Sequence, residues 1–281
     1  MKKKVLVIVN ISKDESLSLA EKIDRFLKNQ GIETVLYDFD GFVDEASFLG
    51  YELVITLGGD GTVLFAARNA VSLDIPVFPV NFGQFGFIAS VQPENWKSAL
   101  EACLRNEVVY EERSLLSVNV TRGGAGVYSS LALNDAVIFG KRGASTVSLD
   151  VNYDDLPLCK LKADGLIIAT STGSTAYSAA AGGPILSPTL NAFVFTPINP
   201  FSLSSRPIVL GMDGTIEITV ERSRTKDYAV TVDGQEPFAL EFGDKITVTR
   251  FEKKVRLLCA TEEKFYGALR SKLNWSGGPY A

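Results

Sequence analysis

The sequence predicts an α/β protein with a parallel, Rossmann-like sheet in its first part and a mostly β second part. Two observations carry this prediction. In residues 1–105, short continuous apolar segments alternate with segments of helical periodicity, the pattern of a parallel sheet covered on both faces. From residue 106 onward, short alternating segments are separated by glycine-rich turns, which indicates a mostly β region.

The first part contains four predicted strands and three predicted helices. The first helix has Leu19, Ile23, Phe26 and Leu27 on one face and ends before Gly31. The strands are predicted at residues 5–10, 34–37, 53–57 and 77–81, and the helices at residues 15–29, 63–70 and 94–106.

The second part contains mainly strand signals, followed by one helical segment at residues 261–273 that we expect to pack back on the first domain. Strands are predicted at residues 117–121, 128–134, 147–153, 166–170, 215–221, 228–232 and 245–250. We therefore expect an α/β nucleotide-binding domain of residues 1–105, joined by residues 258–281, and a β-rich domain of residues 106–257.

Composition excludes several classes of function. The net charge of −5 and the pI near 5.0 argue against a nucleic-acid partner, which needs a concentrated basic surface. The apolar run at residues 5–9 is too short for a signal-peptide core or a membrane span, so we predict a cytoplasmic protein.

The residues available for catalysis narrow the chemistry further. The three cysteines form no CxxC pair and the chain has no histidine, which argues against a zinc site and a disulfide framework. Without histidine, Ser-His-Asp and Cys-His mechanisms are excluded. A carboxylate is then the leading candidate for a general base.

The sharpest local motif is Gly58-Gly59-Asp60-Gly61-Thr62, placed between an apolar strand and a helical segment. Ligands usually bind at this edge of a parallel sheet, where glycines and a helix N-terminus bring amide groups close to phosphate oxygens. Asp60 can then accept a proton from an attacking hydroxyl or help to hold magnesium. The alternative is a tight turn in which Asp60 only caps the helix. The motif is neither a Walker loop nor a GxGxxG fingerprint.

A second block combines small residues and hydroxyl groups. Residues 163–166 (ADGL) lead through a strand into residues 172–178 (TGSTAYS) and then 182–185 (GGPI). Such residues allow close, directional hydrogen bonds to a polar ligand, and Tyr177 is available for stacking. Taken alone, however, the block also fits an ordinary loop rich in Gly, Ser and Thr.

Together these blocks closely resemble the NAD kinase family. GGDGT alone is shared with diacylglycerol-type lipid kinases and, more loosely, with phosphofructokinases. Further family blocks occur in order at residues 81–87 (NFGQFGF, for NxGxLGF), 134–135 (ND), 233–235 (DGQ) and 272–275 (KLNW). The resemblance spans most of the chain and implies an enzyme that phosphorylates NAD on the 2′-hydroxyl of its adenosine ribose, with ATP as donor and Mg²⁺ as cofactor.

The resemblance also implies roles for individual residues. Asp60 would be the base that takes the proton from the ribose hydroxyl. Asn134 would address the adenine edge and Asp135 a ribose hydroxyl, while Lys162 and Asp164 can serve the site of a neighbouring subunit, which implies a homodimer or homotetramer. The implied binding residues are Gly58, Gly59, Gly61, Thr62, Asn134, Asp135, Lys162, Asp164, Thr172, Thr175, Ala176, Tyr177, Ser178, Ala179, Ala180 and Gln235.

Three positions depart from the family pattern. Asp135 replaces the usual Glu and is one methylene shorter, so its hydrogen bond would move by about one bond length or pass through water. Ser171 replaces the usual Pro, and Phe85 replaces Leu. The last two are interpreted as packing changes.

Two other functions compete with this one. A lipid kinase of the diacylglycerol type has GGDGT and a β-rich second domain, but the blocks at 172–178 and 182–185 fit it poorly. A non-catalytic sensor of NAD(H) or NADP(H) would keep the fold without turnover, and the intact Asp60 argues against it. For the kinase we predict direct in-line transfer, because phosphoryl transfer needs mainly positioning and charge stabilisation.

Overall fold

The computed structural model describes residues 3–41, 47–82, 86–89, 91–141, 146–222 and 227–273. Five residues of the family blocks, Gly83, Gln84, Phe85, Asn274 and Trp275, lie outside the described residues. Within the described residues, no helix is long and apolar enough to cross a membrane.

The chain divides into two compact units, residues 1–113 with 253–281 and residues 114–252. The helices are α1 (Asp14–Asn29), α2 (Asp60–Ala70), α3 (Trp96–Leu104), α4 (Tyr177–Ala180) and α5 (Glu262–Leu273). The strands are β1 (Lys4–Asn10), β2 (Glu33–Phe39), β3 (Leu53–Gly58), β4 (Val77–Asn81), β5 (Tyr110–Arg122), β6 (Ala125–Ala132), β7 (Asp135–Gly140), β8 (Val147–Tyr153), β9 (Leu156–Ala163), β10 (Gly165–Ala169), β11 (Ala192–Ile198), β12 (Ile208–Gly211), β13 (Ile216–Val220), β14 (Tyr228–Val232), β15 (Phe238–Leu240) and β16 (Lys245–Leu258).

The first unit is built on a parallel sheet with the strand order β2-β1-β3-β4. Every residue of β3 is buried, which explains why its sequence is apolar without alternation. Helix α1 buries Leu19, Ile23 and Leu27 against this sheet and is followed by Gly31, whose φ of 74° lies in the left-handed region that favours glycine. The α/β prediction for this part is confirmed.

The second unit is mostly β, as predicted, and its strands pair mainly in antiparallel fashion. One sheet has the order β12-β11-β10-β7-β14-β15, and other pairs are β5 with β6, and β8 with both β9 and β13. Residues of β10 alternate between two apolar clusters: Leu166 and Ile168 lie in the larger one, whereas Ile167 and Ala169 lie in the smaller one. Both faces of this strand are therefore buried.

Several predicted boundaries were wrong. Helix α2 begins at Asp60, three residues before the predicted start, because the second half of the glycine-rich motif already belongs to the helix. The strand predicted at 128–134 ends at Ala132, so Asn134 lies in a turn. Strands β7, β9, β11, β12 and β15 were not predicted. Two of them, β9 and β11, contain a proline, which weakens a strand signal in sequence, and β12 and β15 have only four and three residues.

Candidate active site

The GGDGT segment forms the junction between β3 and α2. Strand β3 ends at Gly58, Gly59 is the N-cap of α2 with extended backbone, and Asp60 is the first helical residue. The Gly59 carbonyl accepts hydrogen bonds from the amides of Thr62 (3.1 Å) and Val63 (3.4 Å). The motif therefore lies where a parallel strand ends and a helix N-terminus begins, the geometry that favours phosphate binding.

The carboxylate of Asp60 does not cap its own helix. Its Oδ2 accepts a hydrogen bond from the Phe87 amide and its Oδ1 accepts one from the Ala89 amide, each at 3.2 Å. Gly86 packs so closely on this carboxylate that a Cβ at residue 86 would collide with Oδ1. The structure thus contradicts the helix-cap alternative and shows that residues 86–89 hold the Asp60 side chain.

Close packing also fixes the glycine that precedes this junction. A Cβ on Gly58 would overlap the Thr62 side chain, whose hydroxyl is buried and has no hydrogen-bond partner among the described residues. The Gly58 carbonyl accepts the Phe82 amide at 2.8 Å. Gly59 and Gly61, in contrast, have open space where a Cβ would be. Gly58 is therefore needed for packing, whereas Gly59 and Gly61 leave open space at the N-terminus of α2.

A second cluster brings together three separated segments of the other unit. Asn134 and Asp135 form the turn into β7, and the residues after β10 pack against this turn. The Thr170 amide donates to the Asn134 carbonyl at 2.8 Å, and the Thr170 hydroxyl donates to the Leu133 carbonyl at 2.6 Å. Gly173 lies so close that a Cβ would strike the Asn134 backbone. The predicted Asn134-Asp135 and 172–178 blocks are therefore neighbours.

Asp233 holds the same turn from the other side. Its Oδ2 accepts the Leu133 amide (2.9 Å), and its Oδ1 accepts the amides of Asn134 (2.8 Å) and Asp135 (3.1 Å). Gln235 is adjacent, and its side-chain amide nitrogen donates to the Asp233 carbonyl at 3.4 Å. The sequence pattern singled out the 233–235 block but gave Asp233 no role; an Asp-Gly pair directly after a strand was the available signal.

Asp135 is buried next to a negative charge. Burial and, secondly, the charge of Asp233 raise the pKa of the Asp135 carboxyl to about 7. The Asp233 carboxylate accepts three backbone amides, whereas the Asp135 carboxyl makes no such bonds among those described. Near neutral pH the Asp135 carboxyl is therefore divided between its neutral and ionised forms.

The 172–178 block contains both internal and accessible side chains. The Ser174 hydroxyl donates to the Ser171 carbonyl and accepts the Leu186 amide, and the Ser178 hydroxyl bonds to Thr196 at 2.8 Å. These two hydroxyls stabilise the loop. Tyr177 is about half exposed, Ala180 is exposed and Thr175 is half-buried. The Ser171 hydroxyl donates to the Leu190 carbonyl at 2.7 Å, a bond that proline could not make.

Lys162 and Asp164 do not join this cluster within the chain. Both residues are exposed. The Asp164 carboxylate accepts a hydrogen bond from the side-chain amide of Asn199, and the Lys162 ammonium lies 5.2 Å from the centre of the Phe201 ring. Gly165 pairs with Phe139 and Ala169 pairs with Asp135, so Asp164 lies five residues along the strand from the position opposite Asp135, a distance of about 17 Å.

Comparison with known proteins identifies the family. Residues 33–108 match the model of the ATP-NAD kinase N-terminal domain, and residues 133–259 match that of the ATP-NAD kinase C-terminal domain. The NAD kinase of Treponema denticola is 44% identical over 276 residues, covering 98% of this chain and 97% of the relative. The chain belongs to the NAD kinase family. It is therefore a kinase, and the diacylglycerol-type alternative is set aside.

Other NAD kinases agree in sequence and fold. The NAD kinase of Treponema pallidum is 43% identical over 279 residues, covering 99% of this chain and 92% of the relative. A crystal structure of an Archaeoglobus fulgidus NAD kinase with ATP has a TM-score of 0.75 at 26% identity, covering 96% of this chain and 99% of that one. A yeast NADH kinase structure with NADH has a TM-score of 0.87 at 23% identity, covering 99% and 89%, and supports the fold.

Proposed function

We propose that this NAD kinase family member transfers the terminal phosphoryl group of ATP to the 2′-hydroxyl of the adenosine ribose of NAD, with Asp60 as the proton acceptor. ATP-dependent phosphorylation of NAD follows from the family and from relatives named NAD kinase. The position of the hydroxyl and the role of Asp60 are the proposal's finer points. The role of Asp60 is supported by the position of its carboxylate at the N-terminus of α2, where two backbone amides hold it.

The chemical step needs one group that removes a proton. As the ribose oxygen attacks the terminal phosphorus, its proton passes to a carboxylate oxygen of Asp60, a new P–O bond forms, and the bond to the leaving ADP breaks. Each Asp60 oxygen accepts one amide in the structure and retains a second lone pair for the hydroxyl. The absence of histidine from the chain leaves a carboxylate as the natural acceptor.

Magnesium is part of the proposal, and the residues present fit a cation that arrives with the nucleotide. Across the described ranges, no group of three or more His, Cys, Asp or Glu side chains could hold a metal ion. Mg²⁺ commonly keeps several waters and binds one carboxylate together with substrate phosphates, and the Asp60 oxygen that does not take the ribose proton could supply that carboxylate. When bound, the ion would neutralise charge on the transferring phosphoryl group.

The turn at Asn134 and Asp135 is proposed to bind the dinucleotide, with Thr172, Thr175 to Ala180 and Gln235 around it. The Asn134 Oδ1 atom is buried and lacks a hydrogen-bond partner among the described residues, which supports a ligand donor such as an adenine amino group. Because β10 separates Lys162 and Asp164 from this turn, their proposed contribution requires a second subunit. A homodimer or homotetramer is accordingly part of the proposal.

The proposal is tested by measuring NADP formation from purified protein with NAD, ATP and Mg²⁺, in wild type and in Asp60→Asn. Loss of a general base should lower kcat by at least about 100-fold. Asp14→Asn is the matched control, because Asp14 is likewise the first residue of a helix but is exposed. We expect it to retain full activity. Full activity of Asp60→Asn would exclude Asp60 as the base, and absence of turnover in wild type would favour a dinucleotide sensor.

The position of the transferred phosphate is checked on the product itself. Phosphorus and proton NMR distinguish a 2′-phosphate from a 3′-phosphate on the adenosine ribose. A 3′-phosphate would refute the proposed acceptor hydroxyl while leaving the kinase activity intact.

A further inference from the structure

Asp233 makes an unusual number of bonds to one short piece of backbone. It follows β14, has a φ of 48°, and is only 8% exposed. Its two carboxylate oxygens accept the amides of three consecutive residues, Leu133, Asn134 and Asp135, at 2.8–3.1 Å. Its own amide donates to the Asp135 carbonyl at 2.9 Å. Hydrogen bonds to an ionised acceptor are about twice as strong as neutral ones, so this turn is held firmly.

The opposite side of the turn is also fixed. Thr170 bonds to the carbonyls of Leu133 and Asn134, and Gly173 contacts the Asn134 backbone. The backbone polar groups of the turn are thus used by the protein. The side chains of Asn134 and Asp135 are the groups left to meet a ligand, and the Asn134 Oδ1 atom has no partner among the described residues.

We propose that Asp233 is a positioning residue for dinucleotide binding, which acts by holding the backbone of the Leu133–Asp135 turn so that Asn134 and Asp135 face the substrate in a single arrangement. The inference rests on the proposed function of that turn. Asp233 has no need to contact NAD, because its effect passes through the three amides. A displacement of about 1 Å in a substrate-positioning group can reduce activity about 100-fold, so a firm hold is functionally valuable.

Substitution by asparagine separates this role from general stabilisation. In Asp233→Asn one oxygen can still accept amides, but the new NH₂ group faces a backbone N–H and repels it. We expect the KM for NAD to rise about tenfold or more, which corresponds to about 1.4 kcal/mol, while the KM for ATP changes less than about twofold. The matched control is Asp213→Asn, which removes the same charge from an exposed ion pair with Arg250 in the same unit.

A pH profile supplies a readout that a purely structural role would not move. The charge of Asp233 contributes to the raised pKa of Asp135, so its removal should lower that pKa and shift the pH dependence of NAD binding towards acid. The KM of Asp213→Asn and its pH profile should match the wild type. An Asp233→Asn variant with a wild-type KM for NAD, or with equal losses for NAD and ATP and no pH shift, would overturn the proposal.

A second variant and a binding assay keep the test decisive if Asp233→Asn is poorly folded. Asp233→Glu retains the charge but moves the carboxylate by about one bond length, and should also weaken NAD binding about tenfold. Isothermal titration with NAD measures this without turnover. If wild type binds NAD but forms no NADP, the kinase proposal fails and the Asp233 proposal is still tested. If Asp233→Glu binds NAD as wild type does, positioning by Asp233 is refuted.

Discussion

Replacement of Gly173 by alanine should disrupt the proposed dinucleotide site through backbone contact alone. A Cβ at residue 173 would lie 2.5 Å from the carbonyl carbon of Asn134 and 2.7 Å from its Cα, and would also overlap the carbonyl oxygen. Carbon atoms pack favourably at about 3.5–4.0 Å, so the two segments must separate by roughly 1 Å. None of the atoms in contact belongs to a side chain that could rotate away.

The expected magnitude follows from this enforced separation. Overpacking of a close contact lowers the free energy of unfolding by about 1–3 kcal/mol, which lowers Tm by roughly 3–8 °C in a domain of this size. The same shift moves Asn134, so the catalytic efficiency with NAD should fall by about tenfold to 100-fold. Thermal unfolding and NADP formation, measured on the same preparation, check both effects.

Gly126→Ala is the matched control for this prediction. Gly126 lies in an exposed part of strand β6 in the same unit, and a methyl group added there would have no atom within 4 Å. The variant should keep the wild-type Tm and activity. If Gly173→Ala behaved like Gly126→Ala in both assays, the close approach of residues 172–178 to the Asn134 turn would be refuted.

Two further predictions concern the carboxylates. Gly86→Ala should push the Asp60 side chain out of its amide contacts and lower kcat about tenfold with little change in Tm. Gly267→Ala is the control, because a methyl group added there meets open space in α5, and it should keep the wild-type kcat. Equal kcat values for the two variants would contradict the contact between Gly86 and Asp60. Because the folded-state pKa of Asp135 is raised, the contribution of this carboxyl to the free energy of unfolding falls as pH rises from about 4 through 7. The asparagine of Asp135→Asn does not titrate, so the free energy of unfolding of this variant should rise by about 2–3 kcal/mol relative to wild type between pH 5 and pH 8. A constant difference in the free energy of unfolding across that range would refute the raised pKa.

Much of the fold was predictable because its signals are local. The apolar run of β3, the periodicity of α1 and the glycine after it each involve fewer than about twenty consecutive residues. The same holds for the GGDGT junction, whose glycines and following helix are evident from their order. The strands that were not predicted, such as β7, β9 and β11, depend on their neighbours in the sheet rather than on a local pattern.

The α/β and β-rich character of the two parts, the motif that carries Asp60 and the blocks that resemble NAD kinases are all evident in the amino-acid sequence. The contacts that hold the Asp60 side chain and the Asn134 turn are evident only in the folded chain. Asp60 is held by amides 27 and 29 residues away, and Asp233 holds a turn about 100 residues away. Backbone amides are the same in almost every residue, so a sequence pattern does not show which amides a given carboxylate will bind. Such contacts exist only after folding has brought distant segments within hydrogen-bonding distance.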